Sequence, residues 1–412
     1  MTDGFVIPRF DRNRHLRYFS SCLRKLPGAY SSLDTNRLTL VHFAVQSLDL
    51  LGAFDENEEE TELIDRSAVI EWIYSLYNPP EKLKAGLYCS DGRAGFKGGT
   101  FLGGRSGICA DCYDPSSNDA LASPLINPRS EYDEGHIAMT YTALCALSSL
   151  GDDLGRFDRK GVSKALRRLQ RDDGSFMCTA GGSENDVRFL YCACAISYMI
   201  NDWSGMNQDR AVDYIQSCRS YDGALGMNPG QEGHGGSTFC AIASLHLMGR
   251  LDSILEKDLT WRNDLVRWCV SRQCGDAVRN ENGGMQGRPN KVEDTCYSYW
   301  IGGTLWLMGR DDLLDSKKLR SYILCCQTPM GGFSKVIQGT PDVLHSFYSL
   351  AWMSMSSNPL NGCSECDNDR LVGDKKLKER SSEKDRPLHQ LDCALGIRQS
   401  RLAVLHNAFF CR

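Results

Sequence analysis

Five stretches of the chain are apolar almost all round, and each opens on a polar or glycine residue. They are GHIAMTYTALCALSSLG from residue 135, NDVRFLYCACAISYMI from 185, GGSTFCAIASLHLMG from 235, DTCYSYWIGGTLWLMG from 294 and DVLHSFYSLAWMSM from 342. Counted between the openings His136, Asp186, Gly236, Asp294 and Asp342, the steps are 50, 50, 58 and 48 residues. A helix that is apolar on every side has to be buried, whereas one with a charged stripe faces water. The segments between the runs, such as SKALRRLQ and AVDYIQSC, carry such stripes. Each repeat therefore predicts one inner and one outer helix. Polar turns separate them: DDGSF at 172–176, YDGALG at 221–226, ENGGMQG at 281–287 and MGGFSK at 330–335. Repeats that cannot bury their own apolar faces stack on their neighbours. Periodicity alone leaves two architectures open, a closed α/α barrel with the inner helices as a ring, or an open helical solenoid used for binding.

The rest of the composition narrows the class. The 412 residues are 42% hydrophobic, ample for a large core, and the net charge of −5 excludes a general binder of nucleic acid. No stretch has 18 uninterrupted apolar residues, so no membrane span is expected. The opening MTDGFVIPRFDRNRHLRYF lacks the apolar core of a signal peptide. The 19 cysteines are odd in number and scattered through apolar runs, as buried thiols in a reducing compartment are. These features predict a cytoplasmic protein.

Chemistry gathers where the inner helices begin. In GRPNKVEDTCYSYW (287–300), Arg288 and Lys291 precede Asp294 and Cys296, and Tyr297 and Trp300 follow. His345 lies in the first turn of the next apolar run. In a stacked repeat, Asp294, Cys296 and His345 become neighbours. Carboxylate oxygen, thiolate sulfur and imidazole nitrogen are all zinc ligands, and three protein ligands with one open position is the catalytic pattern. The competing reading is an N-cap aspartate, a buried thiol and a satisfied core histidine. His234, Arg288, Lys291 and Lys335 gather cationic groups at the same rim, where helix N-termini already favour anions, and so offer a place for a diphosphate.

The segments NRLTLVHFA, GHIAMTYTAL, GSENDVRFLYCA, HGGSTFCAIASL, GRPNKVEDTCYSYW and PDVLHSFY resemble, in order, those of the protein prenyltransferase β subunits. The resemblance runs from about residue 14 to 350 and is nearest to the geranylgeranyl type I branch. It implies an all-α fold, an α/α barrel paired with a crescent-shaped α subunit. It implies one zinc ion held by Asp294, Cys296 and His345, with the substrate's C-terminal cysteine thiol as fourth ligand. His234, Arg288, Lys291 and Tyr297 would hold the diphosphate of geranylgeranyl diphosphate. Arg188, Tyr191, Cys240 and Trp300 would line the isoprenoid tunnel. The acceptors would be proteins ending in a CaaX motif, X usually Leu, such as small GTPases. Thr39, with Phe43 one turn on, stands where the farnesyl branch closes the tunnel with Trp. A smaller side chain there leaves room for the twenty-carbon donor. Lys335 stands where the farnesyl branch has an Asp that helps bind magnesium, so Mg2+ is not expected to be required.

Four other readings stand beside this one, the first a Rab-directed type II enzyme, against which the NRLTLVHF and HIAMTYT segments resemble type I. A farnesyltransferase β subunit would carry Trp and Asp in place of Thr39 and Lys335. A terpene cyclase on the same architecture would need an Asp-x-Asp-Asp motif, which is absent. An inactive variant would act only as a scaffold for the α subunit. The last possibility is raised by the C-terminus: from about residue 357 the sequence turns polar and charged, which predicts a divergent, disordered tail over 357–412 after a barrel over 1–356, with ALGIRQSRLAVLHNAFF near its end as a candidate short helix. A Gly-rich insertion is expected at about 91–130. Its Cys109-x-x-Cys112 and the tail's Cys363-x-x-Cys366 lie some 250 residues apart without nearby histidines, which argues against a zinc ribbon.

Overall fold

The computed structural model describes residues 7–55, 64–80, 93–100, 134–182, 184–275, 283–356 and 387–409. The Cys109/Cys112 and Cys363/Cys366 pairs and most of the Gly-rich segment lie outside them. The first helices are α1 (Arg12–Arg24), α2 (Arg37–Leu50), α3 (Arg66–Ser75), α4 (Ile137–Leu150), α5 (Arg159–Leu169), α6 (Val187–Met199) and α7 (Gln208–Ser217). They are followed by α8 (Gly235–Leu247), α9 (Leu251–Lys257), α10 (Leu259–Val270), α11 (Tyr297–Leu307), α12 (Ser316–Cys325), α13 (Val343–Ser356) and α14 (Leu402–Phe409). The five apolar runs are α4, α6, α8, α11 and α13. The chain forms two compact units, one of Met1–Leu26, Phe43–Ile64 and Leu265–Ser400, the other of Pro27–His42, Asp65–Asp264 and Arg401–Arg412.

In the second unit, α6 is buried on nearly every side; only Arg188 and Tyr198 reach out of the core. By contrast α5 buries Val162, Ala165, Leu166 and Leu169 and exposes Lys160, Lys164, Arg167 and Arg168, as its spacing predicts. Each inner helix begins on a side-chain cap. His136, Asp186 and His234 accept from the backbone N–H two residues on, at 3.1, 2.8 and 3.1 Å. The third run therefore opens at His234, two residues before the Gly236 marked by the repeat count. The turn after each outer helix is also the same device. Gln170 bridges Phe176 and Arg219 bridges Leu225. Within the first of these turns, Gly174 has φ +92° and lies so close to the Arg210 carbonyl that any Cβ would collide with it.

The first unit repeats the plan around α11, α12 and α13, with Gln273 bridging Met285 and Gln327 bridging Phe333. Here α1 takes the place of the next outer helix, because the turn at Gly331 (φ +88°) presses on the Arg14 carbonyl. Phe333 and Ser334 pair with Asp342 and Pro341 in a short hairpin that ends on α13. Phe333 N–H donates to the Ser346 hydroxyl at 2.7 Å, which seats the hairpin on the first turn of that helix.

The C-terminal segment departs from the expected disordered tail. Residues 387–400 belong to the first unit, where Leu391, Cys393, Ala394, Leu395 and Ile397 are buried. Arg398 binds Asp55 at 2.6 Å and the fully buried Asp49 at 3.3 Å, and His389 Nε2 lies 2.8 Å from Asp55. Residues 402–409 form α14 in the second unit, where Arg159 donates to the Phe409 carbonyl at 2.9 Å. The polar composition that suggests disorder stops short of the apolar stretch LDCALGI, and that stretch has a core to enter.

Candidate metal centre

Two backbone features of the first unit build the site. Asp294 sits two residues before the N-cap position of α11, which is Cys296, and its Oδ1 accepts from Cys296 N–H at 2.9 Å. Thr295 donates its N–H to Lys335 O at 3.0 Å and its hydroxyl to Ser334 O at 2.9 Å. The hairpin is thereby stitched alongside this turn, and Asp342 and His345 follow from its other strand. Asp294, Cys296 and His345 each turn one ligand atom inward, all within 4.8 Å of one another. His345 Nε2 lies 3.3 Å from Asp294 Oδ1. Its other nitrogen, Nδ1, lies 2.6 Å from Asp342 Oδ2, and the same carboxylate caps His345 N–H at 2.9 Å. A carboxylate on the far nitrogen is the usual partner of a metal-ligating histidine, since it fixes the tautomer and orients the ring. Among the described residues this is the one cluster of three such groups.

Electrostatics fit a cation. Burial works to raise the Asp294 carboxyl, but hydrogen bonds to His345 and Cys296 and the His345 charge outweigh it and hold the group below the usual carboxylate range. Burial likewise opposes the charge on His345, yet Asp294 and Asp342 overcome it and lift the imidazole to about 9. Burial, followed by the Asp294 charge, pushes the Cys296 thiol well above its ordinary value. Without an ion the pocket therefore keeps protons on His345 and Cys296. Oxygen, sulfur and nitrogen donors at this spacing, with a buried carboxylate already ionised, suit zinc.

Of the other predicted residues of this unit, Lys335 and Tyr297 come nearest to the triad. Lys335 Nζ lies 3.6 Å from Asp294 Oδ2 while remaining largely exposed. The half-buried Tyr297 packs its ring over Gly287, and the Arg288 charge reaches its phenol. Lys291 is exposed on the loop before Asp294. Phe43 stacks on Phe347 with centroids 5.6 Å apart and meets Tyr348 edge-on; Trp300 lies against the same Tyr348 at 4.3 Å. Asp342, named in the sequence only as a repeat opening, is the partner that reading missed; its place three residues before a first-turn histidine was the available signal.

In the second unit, Arg188 forms an ion pair with its own N-cap, Asp186, at 2.6 Å. The Tyr191 hydroxyl lies 3.2 Å from that of Tyr141, and its ring meets Phe239 edge-on. Burial pushes the Cys240 thiol up to about 12, with Asp186 adding to it. His234 caps the helix that carries Cys240. Thr39, half-buried, sets its hydroxyl 3.4 Å from the sulfur of Met139.

Residues 10–397 match the prenyltransferase alpha-alpha toroid domain. The chain belongs to that family. Its members' all-α toroid is the fold expected from the sequence, and the match continues past residue 356 into the segment that holds Arg398's neighbours. The geranylgeranyl transferase type-1 subunit beta of Arabidopsis thaliana is 39% identical over 356 residues, covering 84% of this chain and 85% of that protein. The Dictyostelium discoideum subunit of the same name is 38% identical over 345 residues, covering 83% and 90%. The solved structure of Candida albicans protein geranylgeranyltransferase-I complexed with GGPP shares the toroid fold, with a TM-score of 0.71. At 22% identity it covers 97% of this chain and 99% of that one. This toroid-family chain carries no helix, among the described residues, that is long and apolar enough to cross a membrane.

Proposed function

We propose that this chain is the catalytic β subunit of a zinc-dependent protein geranylgeranyltransferase type I, working with an α subunit in the cytoplasm. It would join geranylgeranyl, from geranylgeranyl diphosphate, to the cysteine of a C-terminal CaaX motif. The observation that carries the reading is the convergence of Asp294, Cys296 and His345 in a chain 39% identical to a type-1 beta subunit.

Asp294, Cys296 and His345 would hold the ion, and Asp342 would orient His345. When bound, zinc supplies the positive charge that keeps a thiol deprotonated at neutral pH. Lys335, Arg288, Lys291 and Tyr297 would take up the negative charge that grows on the departing diphosphate. Lys335 pairs with Asp294, and its ammonium would neutralise the diphosphate directly, so magnesium would not be required. Trp300 and Phe43 supply apolar wall in this unit. The family roles of His234 toward diphosphate, and of Arg188, Tyr191, Cys240 and Thr39 toward isoprenoid, carry over to the second unit.

The test uses the chain co-purified with a prenyltransferase α subunit and a peptide ending in Cys-Ala-Ile-Leu. Geranylgeranyl transfer exceeding farnesyl transfer, abolished by EDTA and restored by zinc without magnesium, is expected. Farnesyl preference would reassign the branch, and a stable, zinc-loaded but inactive complex would favour the scaffold reading.

A further inference from the structure

The ordered C-terminal segment touches both helices that carry the metal ligands. Tyr299, one turn along α11 from Cys296, is 2% exposed, and its hydroxyl donates to the Cys393 carbonyl at 2.8 Å. The Cys393 thiol reaches the Gly303 carbonyl of the same helix at 3.6 Å. On α13, the helix of His345, Ser354 donates its hydroxyl to the His389 carbonyl at 2.5 Å. The segment is fastened at each end. His389 N–H donates to the Leu50 carbonyl at 2.9 Å, and Arg398 pairs with Asp49 and Asp55. Asp49 has no exposure, so peeling the segment away would cost a buried carboxylate its ion pair with Arg398.

We propose that residues 387–398 act as a clasp that fixes α11 and α13 relative to one another, with Tyr299 and Ser354 as positioning residues for the metal ligands. The inference rests on the metal reading of Asp294, Cys296 and His345. Its physical basis is that a buried phenol hydroxyl must find an acceptor, and here the acceptor comes from the returning segment. The same tyrosine stacks on Tyr348, centroids 5.1 Å apart, one turn from His345. A shift of the clasp would thus reach Cys296 through α11 and His345 through Tyr348.

The test measures zinc affinity of the full chain by competition with a chromophoric chelator, alongside amide exchange in the first turn of α11. Tyr299→Phe and Ser354→Ala are each expected to weaken zinc binding about tenfold, in the range of outer-shell changes, and to speed exchange in that turn. Leu319→Ala, on the buried face of α12, a helix that carries no metal ligand, should lower the melting temperature and leave zinc affinity unchanged. Zinc binding as tight as wild type in both clasp variants would overturn the proposal. An equal loss in Leu319→Ala would do so too, since it would trace the effect to stability alone. If the wild-type chain bound no zinc, the metal reading would fail by itself. Exchange in α11 would then decide the clasp, with unchanged rates in Tyr299→Phe refuting it.

Discussion

The Nδ1 of His345 lies 2.6 Å from Oδ2 of Asp342, which leaves Nε2 to face Asp294 and Cys296. Removing that carboxylate should therefore act on the metal and not on the fold. Asp342→Asn is expected to weaken zinc binding by about 10- to 100-fold. Because Asp342 helps to hold His345 up at about 9, the imidazole of the metal-free variant should titrate lower, as an NMR titration would read. An unchanged zinc affinity would remove Asp342 from the site.

Protons would compete with an ion bound at this centre. With His345 lifted to about 9 and the Cys296 thiol raised by burial, both are protonated at neutral pH, and a bound metal must displace those protons. Zinc affinity should rise with pH from 7 towards 9, and proton release on binding should be measurable by calorimetry in buffers of different ionisation enthalpy. A flat profile would contradict the assigned ligands.

Gly287 is a positioning device for Tyr297. A Cβ there would overlap the phenol ring, and the ring cannot yield without moving its hydroxyl. Gly287→Ala is expected to lower kcat by tenfold or more, about 1.4 kcal/mol, with a smaller change in KM for the peptide. Steady-state kinetics against Tyr297→Phe would check whether both variants lose the same step.

Thr39 tests donor length. A Trp in its place would extend into the space beside Met139, so Thr39→Trp should shift preference from geranylgeranyl to farnesyl diphosphate. Competition between the two donors reads the ratio directly, and an unchanged ratio would place length selection elsewhere.

His15 predicts an acid weakness. Its Nδ1 accepts from Gly332 N–H at 2.9 Å, Nε2 pairs with Gln327, and the ring is sandwiched between Phe10 and Phe333. Burial pulls its pKa down to about 4 from 6.5, so it folds neutral. Between those values the unfolded chain binds more protons, and stability falls as pH falls from 6.5 to 4, by about 3 kcal/mol from this residue. Above 6.5 the contribution is complete. His15→Asn should flatten the slope of melting temperature over that window, and an unaltered slope would contradict the assignment.

What the sequence made legible follows from how local each signal is. The five inner helices declare themselves because a helix buried all round has no polar stripe, and the alternation with SKALRRLQ-type segments marks their partners. Asp294, Cys296 and His345 were readable because a repeat brings equivalent openings together. The repeat opening counted at Gly236 lies two residues past the His234 cap, since glycine and histidine can both precede a helix and periodicity does not separate them. The clasp was missed for another reason. Cys393 meets Tyr299 across 94 residues and Arg398 meets Asp49 across 349, and neither partner carries a pattern that names the other.

Those separations also set an order of events on the ribosome. Asp55 emerges 343 residues before Arg398. At about 5–20 residues per second, its guanidinium arrives roughly 20–70 s later. Through that interval Asp49 and Asp55 await the Arg398 ion pair, and for the 94 residues before Cys393 the Tyr299 hydroxyl awaits its carbonyl. The first unit therefore closes late, and a chaperone that shelters its early helices would have to wait for residues 387–398.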